Sequence, residues 1–198
     1  SRDQKMKTTK KKPAKKTELE RIPDGQYVMG LDVSSSAAGW AVACRNGIKT
    51  TIIDFGVFKP PKHWDATRRI EMIVQQISSE CCERIATENN QPSSLRIAME
   101  WQSHLRAAKN RSANGLATLG KSQGAVWWEL KSKGFEVDHV SERVWTRVNG
   151  WPAPKKDRAK LIRLAVPEYR KAIETDASLD PGLDIADAIG LTLYRLTI

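Results

Sequence analysis

Cysteine is nearly absent from this chain: 198 residues contain three, and two of them, Cys81 and Cys82, are adjacent. Such a set makes neither a disulfide framework nor a zinc spacing, which implies a reducing compartment and leaves Cys44 and Cys81 as small buried hydrophobes. Long hydrophobic runs are missing too. No apolar stretch approaches the roughly 20 residues of a membrane helix, so no membrane partner is expected. The polar, basic start carries no apolar segment of the secretory-signal kind. Histidine is scarce, and His63, His104 and His139 are scattered, so they read as surface or loop residues; only His104 lies near an acid of interest. No internal repeat is visible.

What is present fits one well-packed domain, with 40% hydrophobic and 28% charged residues. The formal charge is +10, which points to a polyanionic partner, nucleic acid before anionic membrane. Residues 1–25 hold nine basic and four acidic residues, a net of +5, so the other 173 residues carry +5 as well. Residues 1–24, with Lys10-Lys-Lys-Pro-Ala-Lys-Lys16, have almost nothing to bury and read as a basic disordered tail. The folded domain is then 25–198. The tail has the composition of a solvated arm or of a nuclear-import signal. Cytoplasm or nucleoid is the expected location, with the nucleus left open.

From Tyr27 the pattern is that of strands. Tyr27–Asp32, Gly39–Cys44 and Thr51–Phe58 are short and rich in β-formers, and Asn46-Gly47 suits a hairpin turn, so they predict an antiparallel meander. Pro60-Pro61 stops it. Ile70, Ile73, Val74, Ile77, Cys81 and Ile85 recur at helical spacing and predict a helix over 66–88. A strand Leu95–Glu100, a helix over 115–133 and a strand Phe135–Val140 follow. A basic loop with Trp145 and Trp151 then leads to a helix over 157–166, and a last helix starts at Asp184. The order β-β-β-α-β-α-β-α-α implies a mixed five-stranded sheet, part meander and part parallel, flanked by helices.

Four carboxylates stand out on this frame. Asp32 and Glu100 each close an apolar strand, while Asp184 and Asp187 open an apolar helix. A right-handed crossover through the first helix can set the strands of Asp32 and Glu100 side by side and parallel, with their carboxyl ends at one sheet edge. Asp184 and Asp187, three apart, share one helical face, where the positive helix end partly offsets their charge. Capping and solvent exposure are the plain alternatives for each acid alone. Clustered acids are costly to desolvate and repel one another, and a divalent cation removes both costs. Two Mg²⁺ ions, or Mn²⁺ in their place, about 4 Å apart suit phosphodiester hydrolysis. Asp32, on the central strand, is the expected bridging ligand.

Basic and aromatic residues surround these acids in sequence. Trp101, Lys109, Asn110, Arg111, Lys121, Arg147, Lys155, Lys156 and Arg158 are the candidate DNA contacts, as a group rather than singly. Trp101, Trp145 and Trp151 read either as core residues or as stacking wedges, and Trp127-Trp128 should include at least one core residue.

Gly30-Leu-Asp32 with Gly39-Trp40, Ile97-Ala-Met-Glu100, and Asn110 followed by Leu119-Gly-Lys-Ser-Gln-Gly-Ala125 stand in sequence order. Gly150 with Lys155-Lys156, and Asp184-x-x-Asp187-Ala188, complete the set. Together, over residues 27–195, they resemble the RuvC-like Holliday junction resolvases of the RNase H-like (retroviral integrase) superfamily. The resemblance implies the RNase H-like fold and an Mg-dependent endonuclease that cuts four-way DNA junctions. It implies the four acids as its metal ligands, DNA contacts in the Asn110 and Lys155-Lys156 segments, and a homodimer. Bacterial members show Pro-Gly and Thr after the first Asp, where this chain has Val33, Ser34 and Ala38. They carry an aromatic three residues past the Glu, where this chain has Ser103, with Trp101 nearby instead. These departures and the basic tail suit a divergent, viral or phage-like member.

Other readings keep the same acids but change the substrate or remove the chemistry: a nuclease acting on RNA or RNA–DNA hybrids, or a non-catalytic DNA-binding module. An actin-like ATPase is excluded, because that fold needs two copies of the Leu31-Asp32…Gly39-Trp40 type of loop.

Overall fold

The computed structural model describes residues 26–46, 49–82, 95–102 and 112–197. The basic tail, the hairpin residue Gly47, the helical residues expected over 83–88, His104, Lys109, Asn110 and Arg111 lie outside the described residues.

Strand β1 (Gln26–Val33) is central. It pairs antiparallel with β2 (Ala38–Asn46), which pairs antiparallel with β3 (Lys49–Phe58). On its other side β1 runs parallel to β4 (Leu95–Glu100), and β4 runs parallel to β5 (Glu136–Val140). The sheet order is β3-β2-β1-β4-β5. The expected mixed sheet of five strands is the one observed.

Alternation along the strands assigns two faces. Tyr27, Met29, Leu31 and Val33 of β1, with Leu95, Ile97 and Met99 of β4, pack under two helices. These are α1 (Ala66–Gln76) and α2 (Ala113–Ser132), which contribute Ile73, Val126 and Leu130. Asp65 caps α1, its side chain accepting the Arg68 backbone N–H. The helix expected over 66–88 continues past Gln76 as π-helical turns, Ile77–Cys82.

The opposite face is covered by α4 (Lys155–Ala165), α5 (Pro167–Thr175) and α6 (Asp184–Thr197), which pack on Val28, Ala41 and Ala43. Helix α3 (Glu142–Val148) lies beside them. Helices α3 and α5 were not legible in the sequence. The basic loop expected around Trp145 is α3, and Trp145 is fully buried against Ala98, Val140 and Leu191, so it is core and cannot be a DNA wedge. Trp151 is half-buried edge-on against it. Trp127 is half-buried while Trp128 is exposed, as expected of that pair. Among the described residues no helix is long and apolar enough to cross a membrane.

Helix α6 rides directly on the sheet because the strands beneath it carry glycine. A Cβ at Gly30 would come 2.1 Å from the Ala188 carbonyl oxygen, and one at Gly39 would come 2.1 Å from that of Asp184. These are backbone atoms of a packed helix and cannot step aside singly. Gly39→Ala is therefore expected to lift the first turn of α6, costing about 1–3 kcal/mol and displacing Asp184 from the site. Chemical denaturation and a cleavage assay on the same sample check this. A variant with wild-type stability and activity would refute the close approach.

Candidate metal centre

The strand alternation that builds the two cores also aims the acids. Even-numbered positions of β1 and β4 face α6, so Asp32 and Glu100 leave their strands on the side where α6 presents its first turn. The parallel register pairs Leu31 with Met99, and the two acids are the next residues along each strand. Asp32, Glu100, Asp184 and Asp187 line one cleft of about 190 Å³, together with Ser34, Gln102, Glu142, Lys155 and Arg158. The structure therefore brings together the four acids singled out in the sequence.

Neighbouring groups fix these acids in place. Glu100 accepts the buried indole N–H of Trp145 at 3.2 Å. Its backbone carbonyl accepts from the Gln123 side chain at 3.0 Å, and Ser122 Oγ donates to the Ser34 carbonyl at 3.0 Å. Helix α2 thus ties together the ends of β1 and β4. Gln123 and Ser122 belong to the Leu119-Gly-Lys-Ser-Gln-Gly motif, and this is the role that motif plays in the structure. At the other end of the site, Asp180 accepts the N–H groups of Ile185 and Ala186, and the Tyr169 hydroxyl donates to it at 2.7 Å. Burial and then Asp180 hold the Tyr169 pKa above its ordinary value, so it stays a donor. The first N–H groups of α6 are thereby used by Asp180 rather than left to offset Asp184 and Asp187. Asp180 had no signal in the sequence beyond its place ahead of the helix.

Two basic residues placed among the DNA contacts turn out to belong to the cleft. Arg158 is 1% exposed. Its guanidinium meets Asp187 at 3.2 Å, Glu142 at 2.8 Å and the Ala153 carbonyl, and lies 5.0 Å over the Trp145 ring. A group so enclosed cannot reach a phosphate, so Arg158 is removed from the DNA contacts. Lys155 Nζ lies 3.3 Å from Asp32, 3.1 Å from Asp184 and 3.1 Å from Asp187. It is an inward-facing cation in this structure. Lys121, Arg147 and Lys156 are exposed, as a phosphate contact requires. Trp101 is half-buried and stacks on His139 with ring centroids 4.2 Å apart.

The electrostatics carry the cost expected of crowded acids. Burial pushes the Asp32 carboxyl up to about 7; Lys155 pulls it down, while Asp187 and Asp184 push it up. Burial, then Asp32, Asp187 and Glu142, push Glu100 up to about 8. Asp187 is raised by burial against the pull of Lys155 and Arg158. Burial opposes the charge on Lys155, but the three carboxylates outweigh it and raise its pKa above the ordinary value.

The residues fit a divalent cation. They offer hard carboxylate oxygens, the donors Mg²⁺ and Mn²⁺ prefer, in a cleft whose acids resist ionising together. Among the described residues no group of three or more His, Cys, Asp or Glu side chains is arranged to hold a metal ion as it stands. The Lys155 ammonium stands between three of the acids instead.

A pH dependence follows. Asp32 and Glu100 have folded values of about 7 and 8, against about 4 when unfolded. The folded state therefore binds more protons in that window. Their stabilising contribution is complete below pH ~4 and is lost as pH rises through the folded values. In chelator the melting temperature should fall between pH 5 and pH 8, and saturating Mn²⁺ should remove the fall. A melting temperature that climbs over that range in chelator would contradict the raised values.

The strand order, the acids at the ends of β1 and β4 and the pair on the last helix define the RNase H-like fold, with its acidic centre at the expected edge. No protein-family model matches the chain. The crossover junction endodeoxyribonuclease RuvC of Dictyoglomus thermophilum is 21% identical over 167 residues, which cover 84% of this chain and 93% of that protein. Among solved structures, T. thermophilus RuvC in complex with Holliday junction substrate superposes with a TM-score of 0.60 at 17% identity, over 86% of this chain and 93% of that one. The Fowlpox virus resolvase in complex with substrate Holliday junction DNA gives 0.52 at 12% identity, over 87% and 97%. The chain thus has the RuvC-like architecture that its motifs resemble.

Proposed function

We propose that this protein is a structure-selective endonuclease that cuts four-way DNA junctions in recombination, repair or the processing of branched DNA. The observation that carries the reading is the convergence of Asp32, Glu100, Asp184 and Asp187, from three separate elements, in one cleft at the carboxyl edge of parallel strands. Similarity to RuvC along nearly the whole chain and to two junction-bound resolvases supports the substrate.

Asp32, on the central strand, Glu100 and the Asp184–Asp187 pair would together hold the Mg²⁺ ions. When bound, the ions would supply water activation and stabilise the leaving oxygen during in-line attack on a phosphodiester. The chain's own work is to position and to exclude. Trp145 and Gln123 hold Glu100, Arg158 holds Asp187, and the buried walls keep the carboxylates poorly solvated. Lys121, Arg147 and Lys156 offer the exposed charge that would track phosphates. The compartment is wherever branched DNA is processed, cytoplasm or nucleoid.

A C₂ homodimer would supply the paired sites that a two-fold junction needs. On α2, Leu119, Val126 and Leu130 are spent on the protein's own core, while Trp128 is 68% exposed and available to a second copy.

The test is to offer a four-way junction, a linear duplex and an RNA–DNA hybrid side by side with Mg²⁺. Preferential paired nicking of the junction, by a species of about twice 22.2 kDa in sedimentation, is the expected result. Preferential cutting of the hybrid would transfer the reading to an RNase H-like nuclease. Junction binding without cleavage in Mg²⁺ or Mn²⁺ would make it a non-catalytic module.

A further inference from the structure

Lys155 and Arg158 sit three residues apart on α4 and both meet the acids, yet their situations differ. Arg158 is enclosed, held by Asp187, Glu142 and the Ala153 carbonyl. The Lys155 side chain is 36% exposed, and its ammonium contacts carboxylates from β1 and from α6 at once. One cation is walled in; the other has a way out to solvent.

The charges of the cleft distinguish them further. Five carboxylates, those of Asp32, Glu100, Glu142, Asp184 and Asp187, face two basic side chains. Two divalent ions together with Arg158 would match the five carboxylates, leaving Lys155 as the surplus cation. An ammonium that bonds to three prospective ligands also competes with a metal for the same oxygens. Like charges a few ångströms apart in a partly dry cleft repel strongly, so both cannot occupy that position.

We propose that Lys155 is a built-in competitor for the metal centre: in the DNA-free protein its ammonium occupies the carboxylates, and it leaves as metal and DNA phosphate arrive together. The inference rests on the metal-nuclease reading above. Metal binding and junction binding are then coupled, because a phosphate at the mouth of the cleft gives the displaced ammonium a new partner, and each ligand lowers the cost of the other. Free protein binds divalent ions weakly, which restrains cutting until a substrate is seated. Lys155 thus governs metal occupancy of the carboxylates rather than acting on the scissile bond.

Mn²⁺ titration calorimetry on the full DNA-free chain tests this. Lys155→Gln should bind Mn²⁺ about tenfold or more tightly than wild type, the scale set by removing a unit charge from direct contact. Lys171→Gln, which removes the same formal charge from α5, should leave the affinity unchanged. In wild type, a saturating four-way junction should tighten Mn²⁺ binding several-fold, measured within the lag before cutting or with Ca²⁺ as the probe. In Lys155→Gln that gain should largely vanish. Equal or weaker Mn²⁺ binding by Lys155→Gln would overturn the proposal. Should that variant fail to fold without metal, the wild-type measurement decides alone, since no junction-dependent gain overturns it equally. If neither protein binds Mn²⁺ at any concentration and neither cleaves, the metal-nuclease reading fails instead. Cleavage with unaltered Mn²⁺ affinity would sink only the role given to Lys155.

Discussion

Asp32→Asn is expected to lower junction cleavage by about 10²–10³-fold or more, the scale for losing one preorganised electrostatic group, while junction binding is kept or strengthened. Asp32 is the penultimate residue of the central strand, contacts Lys155, and shares its cleft with the other three acids. Asparagine keeps the shape but removes the charge that a divalent ion needs from this ligand. It also removes one source of repulsion toward phosphate, so affinity should not suffer. Glu100→Gln should behave alike, and its wild-type packing against Trp145 and Gln123 keeps the backbone in place. Cleavage with Mg²⁺ and junction binding in Ca²⁺, measured on the same preparations, separate the two effects. An Asp32→Asn protein that cuts at the wild-type rate would take Asp32 out of the centre.

Arg158→Ala should lower stability by about 3–5 kcal/mol, the usual consequence of leaving one member of a buried ion pair without the other. The 1% exposure of Arg158 and its bonds to Asp187 put it in that class. For a chain of this length the loss corresponds to a fall of roughly 10 °C in melting temperature. Lys156→Ala, two residues away and exposed, should do the reverse: unchanged melting, weaker junction binding, and a salt slope smaller by about one. If Arg158→Ala melted like wild type and only its salt slope changed, the guanidinium would have to be a phosphate contact after all.

The contrast between those two residues shows where sequence reading stopped. Arg158 and Lys156 have the same charge, lie on the same helix and follow the same glycine, so composition placed both on DNA. Only the packing of α4 against α3 and α6 turns one inward. Trp145 is a parallel case. Its neighbours mix charged, polar and apolar residues, and the seven-residue helix that carries it has too few positions for a periodic pattern to show. Helix α5 was missed for a related reason: Pro167 looks like a stop, yet proline is well tolerated at the first position of a helix.

The strands were legible because they are short runs rich in β-formers set off by turn residues, and the acids were legible because charge is conspicuous at the end of an apolar run. Those features determine, without coordinates, a mixed sheet with Asp32 and Glu100 at one edge and an acidic pair on a buried helix face. The tertiary structure alone decided how the centre is held and what neutralises it. Trp145, Gln123 and Asp180 reach the site by contacts between elements distant in sequence, and Lys155 enters the cleft from the first turn of α4, where α4 packs beside α6. Periodicity records which face of an element is buried. It does not record which neighbour lies against that face, and burial and partner together set the charge and stability of this site.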